Sequence, residues 1–312
     1  MTKIAIIIPY FGKLPNTFPF FLQSCKNNKD IDFLVVTDLF DSKSATENIK
    51  IVNVTFNELC DRIQKLFDFK ICLPTPYKLC DYKPLYGHIF ENELKNYDFW
   101  GYCDADLIFG NLRKFITEDL LQKYDRIFDR GHFSLYRNNK KMNLLYKSCS
   151  NFPIAFQYPE IFIFDESYYE GINKTCMDLK ISFFRERLSI FDVNPSKFSF
   201  RNLNDNKKNN VYFQLRNETL LSINIKDKKK NEWIYAHFQK RKFKIDSNCD
   251  VNNFYIVPNC YCSNKKLEEH LKNQKLHPFY CFHYYKYRIK NAVKKRFVRL
   301  IKKLEKFYEA SY

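Results

Sequence analysis

Tyr97-Asp-Phe-Trp-Gly-Tyr-Cys-Asp-Ala-Asp-Leu-Ile-Phe-Gly110 decides how this chain is read. An apolar run rich in aromatics ends in two carboxylates, Asp104 and Asp106. Residues 98–103 predict a buried strand. A strand continuing through the pair would point both Asp side chains to one face, because strand side chains alternate with a period of two. Two carboxylates held that close repel, and a hard divalent cation with oxygen ligands relieves the repulsion. A cation held there also grips a diphosphate and offsets the charge that develops as it leaves. A second copy, Asp30-Ile-Asp32, precedes its apolar run instead of ending it, and reads as a solvated turn.

Upstream, residues 4–8 form a continuous β-branched run and predict another buried strand, with Pro9-Tyr-Phe-Gly12 as the loop after it. Residues 18–26 predict a helix that tolerates Pro19 in its first turn. Residues 33–38 and 49–54 predict two more strands, and residues 57–67 a helix. Lys83-Pro84 opens a further helix over 85–94. Strands alternating with helices imply βαβ units and a mostly parallel sheet. In such sheets ligands sit beyond the carboxyl ends of the strands. Pro9, Tyr10, Asp38, Asp104 and Asp106 all stand at such ends.

Downstream the alternation weakens. The pattern predicts a helix over 115–124 and an apolar strand over 161–164 that ends in Asp165-Glu166. It also predicts a polar loop over 202–210, and strands over 211–215 and 233–238 around a basic turn at 226–230. Residues 284–309 predict one long basic helix, with Ile289, Val293, Phe297, Leu300 and Leu304 at helical spacing. Its Lys and Arg residues suit an anionic membrane surface. A helix packed on its own domain with a solvated basic face fits equally.

The 312 residues suit one large domain or two closely packed halves. Gly is scarce, at 6, and neither a Walker A pattern nor G-x-G-x-x-G occurs, so a phosphate ligand needs a metal and basic side chains. A net charge of +17 favours anionic partners without choosing among nucleotide diphosphates, nucleic acid and anionic lipid. The 11 Cys are an odd number with no C-x-x-C pair. Cys260 and Cys262 lie too close for a zinc knuckle and lack a second pair. They read as buried reduced thiols, which implies a reducing cytosol. No signal-peptide pattern is visible, and no stretch reaches the ~18 apolar residues of a spanning helix, so a cytoplasmic location is expected.

Four segments occur in order: Asp81-Tyr-Lys-Pro-Leu-Tyr-Gly87, the run from Tyr97 to Asn111, Gly131-His-Phe-Ser-Leu-Tyr-Arg-Asn138, and Tyr235-Ala-His-Phe-Gln-Lys-Arg241. Together they resemble bacterial glycosyltransferases of the GT-A type, above all a family found in capsule, O-antigen and exopolysaccharide gene clusters. The resemblance spans residues 3–245. It implies an α/β fold with a Rossmann-like, mostly parallel central sheet. Residues 1–110 would form the nucleotide-sugar half and residues 111–245 the acceptor-binding half, followed by an extension over 246–312 with the basic helix.

The resemblance also implies roles. Asp104 and Asp106 would hold Mn²⁺ or Mg²⁺, and His237 as a third ligand would tilt the choice toward Mn²⁺; the alternative for His237 is a satisfied core histidine. Lys240 or Arg241 would hold the departing phosphate. Pro9, Tyr10 and Asp38 would line the nucleotide, although Asp38 also suits a turn cap. Lys83 would approach the donor phosphates or sugar, with Asp81 beside it as a partner or N-cap. Asp165 and Glu166, with Glu160 behind them, would supply the base for an inverting transfer, or orient acceptor hydroxyls in a retaining one. His132 and Arg137 would shape the acceptor side.

The implied reaction moves a hexose from a nucleotide-diphosphate sugar, UDP-linked, to a lipid-linked oligosaccharide or other cell-surface glycan. The basic helix would hold the enzyme at the inner face of the plasma membrane. Two other readings stand beside it. A sugar nucleotidyltransferase shares the architecture but carries a Gly-rich loop where this chain has Pro9-Tyr-Phe-Gly-Lys-Leu-Pro15. A polyanion or nucleic-acid binder fits the charge and the aromatics but leaves the carboxylate pair unexplained, so no nucleic-acid partner is expected.

Overall fold

A strand with no polar position has to be covered on both faces, and Ile4–Pro9 (β1) runs buried through the middle of a sheet. The computed structural model describes residues 1–205 and 210–272. Asp32–Thr37 (β2) lies parallel to β1, Ile49–Asn53 (β3) parallel beyond β2, and Phe99–Cys103 (β4) parallel on the other side of β1. The chain then leaves this sheet, and Leu107–Phe109 (β5) belongs to another. Arg126–Arg130 (β6) and Phe133–Arg137 (β7) return as a hairpin whose second strand runs antiparallel to β4. Phe183–Phe184 (β8) closes the edge, giving the order β3-β2-β1-β4-β7-β6-β8.

Side-chain alternation sends Ile4, Ile6, Ile8, Phe33 and Val35 into one apolar cluster, and Ala5, Ile7, Leu34 and Val36 into a second. Each cluster takes its own helix. Phe18–Lys26 (α1) sets Phe18, Phe20, Phe21 and Cys25 into the first. Phe56–Gln64 (α2) starts at a Thr55–Glu58 capping box and sets Leu59 and Ile63 into the second.

Two smaller sheets follow. Ile190–Asp192 (β9) belongs to one of them. Val211–Arg216 (β10), Thr219–Asn224 (β11) and Lys230–Glu232 (β12) form an antiparallel meander. Tyr235–His237 (β13) lies between β5 and β9. Lys244–Ile245 (β14), Asn253–Val257 (β15) and Cys260–Cys262 (β16) complete a six-stranded sheet of order β12-β11-β10-β15-β16-β14.

Several expectations are corrected. Residues 85–94 are not one helix; residues 76–89 wind as successive short 3₁₀ and α turns. Pro84 removes a backbone donor there. Gly87 packs against Trp100, where an added Cβ would lie 2.4 Å from the indole. The helix expected over 115–124 is split into Leu112–Phe115 and Glu118–Lys123, the second capped by Thr117. Residues 161–164 are not a strand, because the N–H groups of Phe162 and Phe164 donate to the Asp81 carboxylate at 3.0 and 2.9 Å instead of to a neighbouring strand. Asp32 opens β2 and accepts from Lys50 and Tyr97, both at 2.6 Å, so only Asp30 remains in a turn.

The predicted basic helix at 284–309 lies outside the described residues, as do residues 206–209 of the polar loop. Among the described residues no helix is long and apolar enough to cross a membrane.

The Asp81 carboxylate is paired with the Lys78 ammonium at 2.7 Å, and the two side chains are 0% and 1% exposed. Removing one partner of a buried pair strands the other charge. Lys78→Met is therefore expected to cost about 3 kcal/mol, read as a lower urea midpoint at unchanged m-value.

Candidate functional site

Asp104-Ala-Asp106 is a turn between two sheets and not the end of a strand. Cys103 is the last residue of β4 to pair with β7, opposite Phe133, and the Asp104 N–H donates to the His132 carbonyl at 3.0 Å. Leu107 then starts β5 against β13. The strand-face argument for the two carboxylates therefore fails. They converge because the chain has to bend between sheets.

The third residue arrives by strand register. β13 places His237 opposite Leu107 on one side and opposite Asp192 on the other. Asp192 Oδ1 lies 3.0 Å from His237 Nδ1, which leaves Nε2 facing Asp106 Oδ1 at 3.5 Å. Ligand-type atoms of Asp104, Asp106 and His237 lie within 4.8 Å of one another. Asp106 Oδ2 accepts the Lys240 N–H at 2.6 Å, while its buried Oδ1 has no hydrogen-bond partner.

That orphaned oxygen, beside an imidazole nitrogen oriented by a carboxylate, fits a divalent cation. The charges agree. Burial opposes ionisation of His237, but Asp106 and Asp192 outweigh it and push the imidazole up to about 10. Burial likewise opposes the Asp106 charge, and His237 with the Lys240 N–H holds this carboxyl down at about 2. Without a metal, a proton on His237 supplies the positive charge that these carboxylates require; a metal would replace that proton.

The turn after β13 is strained. Gln239 and Lys240 have φ of 55° and 56°, a left-handed conformation that side chains disfavour. This turn aims the Lys240 N–H at Asp106 and sets its exposed ammonium 4.0 Å from the centre of the Tyr77 ring. It also lets the Gln239 amide donate to Asp192 at 2.6 Å. His132 stacks on His237 with centroids 4.1 Å apart, and its Nε2 lies 3.0 Å from the Tyr235 hydroxyl. Burial first, then the His237 charge, holds His132 well below the ordinary histidine range, so it is neutral.

A second group adjoins the first. The buried Lys83 ammonium lies 2.6 Å from Asp104 Oδ1, 2.6 Å from the Gly131 carbonyl and 3.6 Å from Asp165 Oδ2. Burial opposes its charge, but Asp104 and Asp165 raise it well above the ordinary range. The Asp165 carboxyl is pushed up to about 7 by burial, against the pull of Lys83 and with help from Glu166 and Asp104. A Cβ on Gly131 would lie 2.6 Å from Asp165 Oδ2. The Gly131 N–H donates to Glu166 at 2.8 Å, so backbone engages Glu166 while Asp165 faces the ammonium.

The remaining predicted residues divide. Pro9 ends β1, and Tyr10 comes close enough to Asp106 for that carboxylate, after burial, to raise its phenol. Asp38 is exposed beyond β2, and the Thr37 hydroxyl caps that turn by accepting the Leu39 N–H at 3.2 Å. Arg241 donates to the Phe198 and Lys197 carbonyls, both at 2.6 Å, and so ties down a loop. Arg137 pairs opposite Phe99, at the far end of β4 from Asp104, and takes no part in the crevice. Sequence reasoning missed Asp192, although Ile190-Phe-Asp192 repeats the signature of an apolar run ending in a carboxylate. It also missed Tyr77 and Gln239.

The model of a family of unknown function, DUF6625, matches residues 6–265, and the chain belongs to that family. No curated protein matches it. Solved structures with some likeness include the galactosyltransferase LgtC in complex with donor and acceptor sugar analogs. That likeness has 12% identity and a TM-score of 0.36 over 62% of this chain and 76% of that one. Another is the glycosyltransferase GlyE of Streptococcus pneumoniae TIGR4, with 11% identity and a TM-score of 0.31 over 60% of this chain and 46% of that one.

Because burial raises Asp165 above its unfolded value of 3.8, the folded state holds this proton more tightly between there and about 7. Its contribution to stability is full below the unfolded value and is lost as pH rises through about 7. Asp165→Asn is expected to remove that part of the slope, read as a smaller fall in melting temperature across this window than in the wild type.

Proposed function

We propose that this member of DUF6625 is a metal-dependent glycosyltransferase of the GT-A type. It moves a hexose from a nucleotide-diphosphate sugar, UDP-linked, to a lipid-linked oligosaccharide or another cell-surface glycan. The observation that carries this reading is the convergence of Asp104, Asp106 and His237 beside the exposed Lys240 ammonium. The site lies where the strand order reverses between β1 and β4, the place where open α/β sheets leave a ligand crevice.

Two carboxylates and an imidazole suit Mn²⁺ or Mg²⁺, and the imidazole favours Mn²⁺. When bound, the ion supplies Lewis-acid stabilisation to a diphosphate leaving group. The chain supplies the rest. Asp192 and Gln239 fix the His237 ring so that Nε2 faces the carboxylates. Lys240 holds the departing phosphate, and Tyr10 and Asp38 line the nucleotide from the ends of β1 and β2. With six glycines in the chain and no Gly-rich loop, that side-chain grip replaces a backbone cradle.

On the acceptor side Asp165 takes the hydroxyl proton. Its carboxyl, pushed up to about 7, is matched to proton transfer near neutral pH. Lys83 touches Asp104 and Asp165 at once and keeps the donor and acceptor carboxylates at a fixed spacing. The reading includes synthesis of a capsule, O-antigen or exopolysaccharide, with residues 284–309 resting on the inner leaflet. Basic residues near anionic lipid contribute about 1 kcal/mol each.

A thermal-shift series with UDP, GDP, CMP and dTDP, each with Mn²⁺ or EDTA, tests the donor site. One nucleotide diphosphate is expected to stabilise the protein only with Mn²⁺, and Asp106→Ala to abolish the shift. Absence of any nucleotide effect would remove the glycosyltransferase reading. Once a donor is known, kcat/KM should rise with pH through about 7, and Asp165→Asn should lower kcat by roughly 10²–10⁴-fold.

A further inference from the structure

Away from the crevice, Asp246, Cys260, Cys262 and His270 meet at the edge of the six-stranded sheet, and we propose that together they bind one zinc ion. Strand alternation puts Cys260 and Cys262 on one face of β16, in a small apolar cluster, while Tyr261 enters the main core on the other. β14 pairs parallel with β16, and the Asp246 N–H donates to the Tyr261 carbonyl at 3.0 Å, which carries Asp246 alongside the two cysteines. His270 comes from the helix Asn264–Lys272, one turn beyond Leu267, which is buried in the same cluster.

Each cysteine lies close to the same Asp246 and His270 pair. Ligand-type atoms of Asp246, Cys262 and His270 lie within 4.8 Å of one another. Cys260 Sγ lies 3.7 Å from both Asp246 Oδ1 and His270 Nε2. Tetrahedral zinc with bonds of about 2.0–2.3 Å sets its ligand atoms about 3.3–3.8 Å apart. Two sulfurs, a nitrogen and an oxygen form a donor set that selects zinc over the hard cations of oxygen sites.

A nucleophilic triad does not fit. Such a triad uses one imidazole nitrogen for the nucleophile and the other for the orienting carboxylate. Here Cys260 and Asp246 both approach Nε2, the carboxylate at 2.9 Å. Nor is a disulfide formed, since both cysteines are free thiols.

The ion would have work to do in the fold. Among the described residues of helix Asn264–Lys272, Leu267 is buried in the small apolar cluster and Leu271 packs beside it. Zinc would fasten that helix to β14 and β16. Sequence spacing alone excluded a knuckle, because Cys260-x-Cys262 has no second cysteine pair. Its partners are an Asp before it and a His after it.

The full chain, stripped with chelator under reducing conditions and titrated with Co²⁺, tests this. One equivalent should produce tetrahedral d–d bands and a sulfur-to-cobalt charge-transfer band, both displaced by Zn²⁺. Asp106→Ala should keep them, because the ligands of the crevice are oxygens and a nitrogen. The double variant Cys260→Ser/Cys262→Ser, and His270→Ala, should lose the band or its intensity. Should those variants not fold, the wild type purified without chelator decides the matter by itself: about one zinc per chain, released by a mercurial thiol reagent, is expected. A wild type with no sulfur-to-cobalt band and no thiol-releasable zinc, or a double variant that keeps the full band, overturns the proposal.

Discussion

The buried ammonium of Lys83 joins parts of the chain that otherwise have no reason to meet. It arises in the short helical turns and reaches the end of β4 through Asp104, the β6–β7 turn through the Gly131 carbonyl, and an irregular loop through Asp165. An ammonium leaves water only where partners replace its hydration. Each of those partners is thereby held in place. Two residues earlier, Asp81 grips the same loop by its backbone, taking the N–H groups of Phe162 and Phe164 while Lys78 neutralises it. Asp165 is thus fixed twice from one stretch of chain, once by its side chain and once by the amides before it. A carboxyl confined in this way cannot escape burial by rotating into water, and so its proton affinity stays high.

The opposite wall of the crevice depends on the three-stranded sheet. Its middle strand, β13, carries His237, and its neighbours supply the residues on either side. The imidazole is clamped at Nδ1 by Asp192, which the Gln239 amide also holds. The two left-handed residues that follow cost of order 1–3 kcal/mol each in backbone conformation. They persist because the sheet fixes the chain before them and Arg241 anchors the chain after them on the Lys197 and Phe198 carbonyls.

How much of this could be read beforehand follows from how local each signal is. The strands of the first half and α1 announce themselves by unbroken or periodic apolar runs, and the observed bounds differ from the predicted ones by a residue or so. Asp104 and Asp106 stand out because they close an apolar run, and His237 stands out through the family resemblance. Their meeting depends on a change of sheet at Ala105 that no periodicity encodes, so these residues converge through a local geometry other than the expected strand face. Residues 161–164 look like a strand by composition, yet Asp81, far away in sequence, takes their amides. Thr219–Asn224 is a strand because its partner, Val211–Arg216, makes it one, not because of its own pattern. Asp192 carries the same signature as Asp104, but its meaning comes from His237, which only the pairing of β9 with β13 sets beside it.

The small sheet also has a consequence in time. The Asp106 carboxylate takes an N–H from a residue 134 positions later, and His237 meets an aspartate 45 positions before it. Pairings this distant form late, after nearer contacts have narrowed the search. While the chain is being synthesised, both aspartates of the turn have emerged long before the histidine that faces them. Until β13 inserts between β5 and β9, the crevice has one wall. A chain cut short of His237 keeps the Asp-Ala-Asp sequence and lacks the arrangement that gives it meaning, so the assembled crevice reports that folding has run to completion.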